Sequence, residues 1–488
     1  MSLRQFGAST AIYAAANVGG RAASFLLIPL YVRALSMTEY GCLATLLFTV
    51  QVLLTLVDLG MRTGLLRFTM EYRDKQRIGE LLGTSSLVSL LSGLVVTIIL
   101  LAFLRPYFRN LLRTGLVSWY MVLVCVAALA QSLSLHVISY FRALNQPAVF
   151  MVAHLMTAML LLVANYLALR VLRGGVAGVL VAHCVTYSVA AVLVSCMVFS
   201  GTGIAWSRSL AAKLLRFGFP LGASAFAQII MGGAGFYLLG YFVGLDAVAV
   251  YSLGYKFAQI LGIVVILPFQ LALQPYVFSH LGCPDLERRL SRLLTFLLWI
   301  TVIGSLIVLA GSRIIIPLIA PPEYSGAFVA AIWLVPAMGF IGLYYFGATL
   351  LSAAQKTLTS GLVVGACLVL SILLNGALIP QFGWQGAACA LVASYVVLGI
   401  TTFTLGRRAF PMVIEWKGLA VGACLFLTAL LLNLTLSDEG ATLYFVVNIP
   451  ILLAGSGLSY LALSCGKRAS LDMRPVEPSI SLAPPVAK

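Results

Sequence analysis

The stretch RFGFPLGASAFAQ (216–228) echoes RQFGASTAIYAAANV (4–18), with Phe217-Gly218 answering Phe6-Gly7. Working outward, Tyr40 follows Phe6 by 34 residues and Tyr251 follows Phe217 by 34. Asn165 and Asn375 fall 210 apart, and GGVAGVLVAHCVTY from Gly174 lines up with GWQGAACALVASY from Gly383. Together these matches read as one unit of six membrane spans used twice. A unit with an even number of spans keeps its orientation. Its copies are therefore expected as two six-helix bundles related by a pseudo-twofold axis along the membrane normal, a geometry of transporters that rock about a central site.

Composition supports the membrane. Of 488 residues, 61% are hydrophobic and only 9% charged, where a soluble domain carries about 25% charged residues; mean hydropathy is +1.06. Apolar runs of span length fall near 9–32, 40–60, 81–104, 117–138, 148–169, 176–199, 218–243, 247–272, 293–312, 326–351, 359–380, 385–405, 418–436 and 442–464. The fold class expected is an all-α polytopic membrane protein of about 14 transmembrane helices. It divides into an N-terminal bundle (1–205), a C-terminal bundle (206–410), two additional helices (411–465) and a disordered tail (466–488), which has Pro and Ser without periodicity. The first run is too long for a signal peptide's apolar segment and holds Arg21, so it reads as an uncleaved span.

Fourteen spans put both termini on one side. If that side is the cytoplasm, 21 of the 30 Lys and Arg lie in or beside the internal segments and 7 in the external ones. This is the asymmetry of the positive-inside rule, and it accounts for most of the net charge of +16 without a nucleic-acid partner. The nine cysteines are scattered singly, with no CxxC pair and no spacing to histidine that suits a metal, and read as small core residues. No connection is long enough for a soluble catalytic domain, so no enzyme activity and no cofactor are expected.

Polar residues inside the spans then become informative. VYSLGYKFAQIL (250–261) carries Lys256 about ten residues into its span, some 14 Å deep at 1.5 Å per residue. A charge at the bilayer centre costs at least ~2.5 kcal/mol, so it points to substrate contact or to a structural ion pair. Asn17, Arg21 and Ser24 share one helical face, as do Gln51, Thr55, Asp58 and Arg62. Ser224, Gln228, Ser252, Gln259, Gln270 and Gln274 add polar positions in spans seven and eight, which open the second unit, and His154 and Asn165 add them in span five. Asp58, one turn before Arg62, suits a local ion pair as well as a gate or proton site. Arg142 reads as an interface anchor or as part of the cytoplasmic mouth, and His136, His154 and His183 as satisfied helix contacts or proton carriers. RTGLLRFTMEYRDKQRIGELLG (62–83) suits either an interfacial helix that attracts anionic lipid or a solvated loop.

LIPLYVRALSMTEYGCLATLL (27–47), LVDLGMRTGLLRF (56–68) and VYSLGYKFAQIL (250–261) resemble the recurring segments of the polysaccharide transporter family, the O-antigen (Wzx-type) flippases of the multidrug/oligosaccharidyl-lipid/polysaccharide exporter superfamily. The resemblance covers about the first 410 residues. It implies a multi-pass protein of the bacterial inner membrane with cytoplasmic termini, one that moves undecaprenyl-diphosphate-linked oligosaccharide from the cytoplasmic to the periplasmic leaflet. Its partners would be that lipid-linked oligosaccharide, membrane lipids, and a polysaccharide polymerase with its chain-length machinery. The family's cationic cavity would correspond to Arg21 and Lys256, with Arg142. Many relatives have twelve spans, and fourteen is also the count of lipid II flippases.

The expected roles follow. Arg21, Lys256 and Arg142 hold phosphate; Asn17, Gln228, Gln259, Asn165, Tyr251 and Tyr255 meet sugar; Asp58, Arg62 and His154 gate the path or couple it to an ion. Coupling to a proton or sodium gradient is left open. A drug/cation antiporter of the same superfamily would favour acidic residues in the lumen, and a membrane-embedded glycosyltransferase or ligase would need large periplasmic loops.

Overall fold

The computed structural model describes residues 19–20, 23–69, 71, 75–112, 115–144, 146–203, 205–283 and 285–412. The spans expected at 418–436 and 442–464, the tail, and half of the span at 9–32 lie outside the described residues. Among the described residues the chain is helical, without a strand. The helices are α1 (Ile28–Ala34), α2 (Met37–Asp58), α3 (Met61–Thr69), α4 (Lys75–Ile99), α5 (Arg105–Leu112), α6 (Val117–Ala143), α7 (Pro147–Tyr166), α8 (Gly175–Thr202), α9 (Arg208–Phe242), α10 (Leu245–Leu261), α11 (Leu267–Ser279), α12 (Leu286–Ile319), α13 (Gly326–Ala353) and α14 (Thr357–Ala409).

Ten helices among the described residues are long and apolar enough to cross a membrane. The 53-residue α14 contains a reversal: Gly383 has φ 55° and ψ −134°, and a Cβ on Gly386 would stand 2.3 Å from the Leu378 carbonyl oxygen. α14 therefore supplies both spans expected at 359–380 and 385–405. The connection from α7 to α8 uses the same device, with Gly175 at φ 56° and Gly178 against Ala168. Only glycine adopts this left-handed backbone freely. The structural equivalent of Gly383 is thus Gly175 rather than Gly174, which sets Tyr187 opposite Tyr395.

Burial separates central helices from peripheral ones. α2 buries 13 of its 22 residues and α7 only 4 of its 20. The outer helices present Leu91, Leu94, Ile98, Phe103, Met156 and Met159 outward, as hydrocarbon contact requires.

α2 is the hub. It starts at a capping box, in which Ser36 Oγ accepts from the Glu39 amide at 3.2 Å and the Ser36 amide donates to Glu39 Oε2 at 2.9 Å. It packs on α6 within its own half and on α9 and α10 of the other half. Near its start Gly41 meets α10 so closely that a Cβ would stand 1.9 Å from the Leu245 carbonyl oxygen. Beside it, Thr38 Oγ1 donates to Asp246 Oδ1 at 2.5 Å. Arg33 also donates to the Leu318 and Ile319 carbonyls at 2.6 and 3.1 Å, satisfying orphan acceptors at the C-terminus of α12.

At the other end, α2 stops because Leu59 turns left-handed (φ 47°, ψ 24°) and Gly60 follows at φ 76°. A Cβ on Gly60 would lie 2.1 Å from the Gly218 oxygen, and one on Gly222 would lie 2.9 Å from the Gly60 nitrogen. α3 then packs along α9, with the Arg67 guanidinium 4.5 Å above the Phe217 ring. Leu65 is fully buried and Phe68 half-buried, so the basic segment after Arg62 begins as a helix docked on protein. The α2 helix thus seals against the second half at both ends.

Overpacking a tight helix crossing costs about 1–3 kcal/mol. Gly41→Val is expected to lower the melting temperature of the detergent-purified protein. Gly365→Ala, where a Cβ meets nothing within 4 Å, is expected to leave it unchanged or raise it, because helical alanine is favoured over glycine. Equal melting temperatures for the two variants would contradict the described α2–α10 contact.

Candidate functional site

Between the two seams lies a cavity of about 150 Å³. Its wall is built from both halves: Ser24, Tyr31, Tyr40, Phe48, Gln51, Gln131, Leu161, His183 and Tyr187 on one side, and Phe236, Ser252, Tyr255, Lys256 and Gln259 on the other, with further aliphatic residues between them. Lys256 supplies a positive charge, and no Asp or Glu occurs among the described lining residues.

Local sequence explains how α10 delivers these groups. Ser252, Tyr255, Lys256 and Gln259 fall at helical spacing on one face, while Leu253, Phe257, Ala258 and Leu261 are buried. Pro268 cannot donate to residue 264 and its ring crowds that carbonyl, so the helix widens into a π turn over Gly262–Ile266 before continuing as α11. A π turn beside a polar face is a common neighbour of functional sites.

The cavity is walled by aromatic rings. Phe48 stacks on Phe236 at 5.0 Å and 8°; Phe236 meets Tyr255 edge-on at 5.6 Å; Tyr187 and Tyr31 line the same space. Gln131 carries a buried Oε1 with no protein partner among the described residues. Gln131, Gln51 and Gln259 are amides able both to donate and to accept. Cation, amides and ring faces together suit a hydrated, anionic molecule that also bears hydroxyl-substituted apolar faces.

The structure brings Lys256, Gln259 and Tyr255 of the expected site residues into this cavity. Others go elsewhere. Asn165 is fully buried, donating to the Leu161 carbonyl at 2.8 Å and accepting from the Tyr31 hydroxyl at 3.0 Å, so it props a lining residue from behind. Tyr251 is 1% exposed and packs on Phe236 and Tyr255 rather than lining the space. Gln228 donates to the Tyr344 hydroxyl at 3.0 Å. Arg142 lies exposed in the last turn of α6, away from the lining. The His154 ring packs tilted at 57° against Phe150, centroids 4.5 Å apart. Asp58 and Arg62 form an ion pair at 3.0 Å at the Leu59–Gly60 seam. Asn17 and Arg21 lie outside the described residues.

Gln131, His183, Tyr31, Tyr40 and Tyr187 are lining residues that pattern reading left out of the site. Gln131 opens a polar run, Gln131, Ser132, Ser134 and His136, in an otherwise apolar span, a signal that was available. The tyrosines gave none, because a tyrosine in a span is as often packing as lining.

The fold has solved counterparts. Lipid II flippase MurJ, in an inward closed conformation, superposes with a TM-score of 0.69 at 13% identity over 93% of this chain and 99% of its own. An inward-facing multidrug resistance MATE family transporter of the MOP superfamily gives 0.63 at 18% identity, covering 79% and 93%. A MOP superfamily transporter from Pyrococcus furiosus, described as having a binding pocket of reversed polarity, gives 0.58 at 18%, covering 82% and 95%. These likenesses show the fold alone, that of a multi-helix membrane protein. No curated protein matches the chain in sequence. Residues 6–280, more than half of the chain, match the sequence profile of a family described as polysaccharide biosynthesis protein, and the chain belongs to that family.

Proposed function

We propose that this protein is a flippase for undecaprenyl-diphosphate-linked oligosaccharide, an O-antigen or other surface-polysaccharide repeat unit, moving it from the cytoplasmic to the periplasmic leaflet of a bacterial inner membrane. The observation that carries this reading is Lys256: an ammonium in a cavity between two membrane bundles, with no acidic residue among the described lining residues. A diphosphate headgroup cannot cross hydrocarbon unaided because its charges lose their hydration. A fixed cation and amide donors in the cavity replace that hydration with charge-assisted hydrogen bonds. The aromatic and amide lining supports sugar contact by Tyr255 and Gln259, joined by Gln131, Tyr31 and Tyr187. An antiporter for cationic drugs would be poorly served by this wall, whose described charge is positive.

Binding sites for molecules of drug size occupy about 300–1,000 Å³, so a cavity of about 150 Å³ must widen to admit such a headgroup. Widening requires one of the two α2 seams to part. Opening the Gly60–Gly218 seam exposes the cavity to one side of the membrane; opening the Thr38–Asp246 and Arg33–α12 contacts exposes it to the other. The polyprenyl tail stays in lipid throughout. In this scheme both termini are cytoplasmic, Asn17 and Arg21 extend the polar face that includes Ser24, and polymerase and chain-length machinery take the product.

A lost hydrogen bond to a charged group is worth about 1.5–3 kcal/mol. Lys256→Ala, at matched expression, is expected to trap lipid-linked oligosaccharide on the cytoplasmic leaflet and to cut flipping by roughly ten- to a hundredfold, with Lys256→Arg partly restoring it. Leaflet-resolved labelling of the lipid-linked sugar measures this, and normal surface glycan in both Lys256→Ala and Arg21→Ala cells would reject the cationic path. Asn165→Leu leaves the buried Tyr31 hydroxyl without its acceptor, at a cost of about 1–3 kcal/mol. It is expected to lower thermal stability, whereas Lys256→Ala is expected to spare it, and melting curves of the two purified variants separate the supporting residue from the cargo residue.

A further inference from the structure

Apart from the cavity, the first half contains an ionic cluster that substrate binding does not use. Asp58, the last residue of α2, is 6% exposed. Its Oδ1 accepts from Arg62 Nε at 3.0 Å and stands 3.4 Å from Nε2 of His136 on α6. His136 is 0% exposed. Its Nδ1 lies 2.7 Å from the Ser132 carbonyl oxygen, and its Nε2 lies 3.3 Å from the Ser89 hydroxyl of α4.

This geometry reads the imidazole's protonation state. A carbonyl only accepts, so Nδ1 carries a hydrogen whether the ring is neutral or charged. In the neutral ring Nε2 is a bare lone pair, which accepts a hydrogen bond from the Ser89 hydroxyl and offers nothing to a carboxylate. In the charged ring Nε2–H donates to Asp58 Oδ1, the oxygen that Arg62 also holds. One proton therefore decides whether the Asp58 carboxylate is tied to α3 alone or also to α6, while Ser92 Oγ of α4 donates to the neighbouring Val57 carbonyl at 2.6 Å in either state.

We propose that His136 and Asp58 form a proton-binding site whose occupancy sets the Leu59–Gly60 hinge, and through it the seam with Gly218 and Gly222 of the other half. The hinge is the next residue along from Asp58, so no relay is needed. The charged neighbours on the packed elements leave the pair local. Arg62 is in contact with Asp58; Arg67 lies over Phe217; Glu80 sits nine residues before Ser89, about 13 Å along α4. Arg77 of α4, Arg142 of α6, and Arg208, Lys213 and Arg216 of α9 are exposed.

The test needs no cargo, so it stands or falls separately from the substrate reading. Hydrogen–deuterium exchange of the full chain in lipid nanodiscs, corrected for intrinsic rates, is followed between about pH 5.5 and 8, where histidine titrates. The segments 59–69 and 214–222 are expected to change protection together with a single-proton midpoint. His136→Gln is expected to abolish the change. Ser89→Ala removes the donor that favours the neutral ring and is expected to raise the midpoint by about one pH unit; Asp58→Asn removes the anion that favours the charged ring and is expected to lower it by a similar amount. A wild-type response in His136→Gln overturns the proposal. Should that variant fail to fold, unmoved midpoints in both Ser89→Ala and Asp58→Asn overturn it equally.

Discussion

An ammonium group held between membrane helices has to be surrounded by something other than hydrocarbon, and much of the central architecture can be understood from that one requirement. Lys256 is accommodated because α10 is apolar on three sides and polar on the fourth, and because α2, α6 and α8 of the opposite half bring amides, a histidine and phenol rings to the same space. Water or an anionic cargo can then do what a buried carboxylate would otherwise have to do. A carboxylate partner would neutralise the site and leave it with little affinity for phosphate. The lack of one among the described lining residues is therefore a chemical property of the cavity, as informative as the lysine itself.

The glycine-marked repeat was legible in the sequence because its matching features are backbone features. A reversal at Gly175 or Gly383 needs a positive φ, and a helix crossing at Gly178 or Gly386 needs a missing side chain; such demands persist when surrounding side chains drift. Lys256 was legible because charge in a span is expensive. Asn165 and Gln228 were less so. Helical periodicity places a residue on a face but does not say which neighbour the face meets, and here those neighbours are Tyr31 and Tyr344, 134 and 116 residues away. The spacing of Asp58 and Arg62 allowed an ion pair beside a gate or proton site, whereas His136, the third member of the cluster, comes from another helix and was visible only as a polar residue in an apolar run.

The two ionic features occupy different kinds of place in the fold. The Lys256 cavity lies between the halves, where its surroundings change whenever they move. The Asp58–Arg62–His136 cluster lies inside one half, where α2, α3, α4 and α6 keep its geometry. Buried polar groups of the second kind are tolerated when each has a partner, and every member of this one does.

Gly41 and Gly60 stand nineteen residues apart on one nearly continuous stretch of chain, about 28 Å at helical rise, close to the ~30 Å thickness of the hydrocarbon layer. The α2 helix is therefore a beam whose two bearings sit at opposite faces of the membrane, one on α10 at Gly41 and the other on α9 at Gly60. A beam of that kind does not register the strength of either bearing alone; its tilt follows the difference between them. Weakening both bearings equally would leave the resting tilt where it was and only make the beam swing more freely, so lesions at opposite faces of the membrane would offset one another although no atom of one comes near the other.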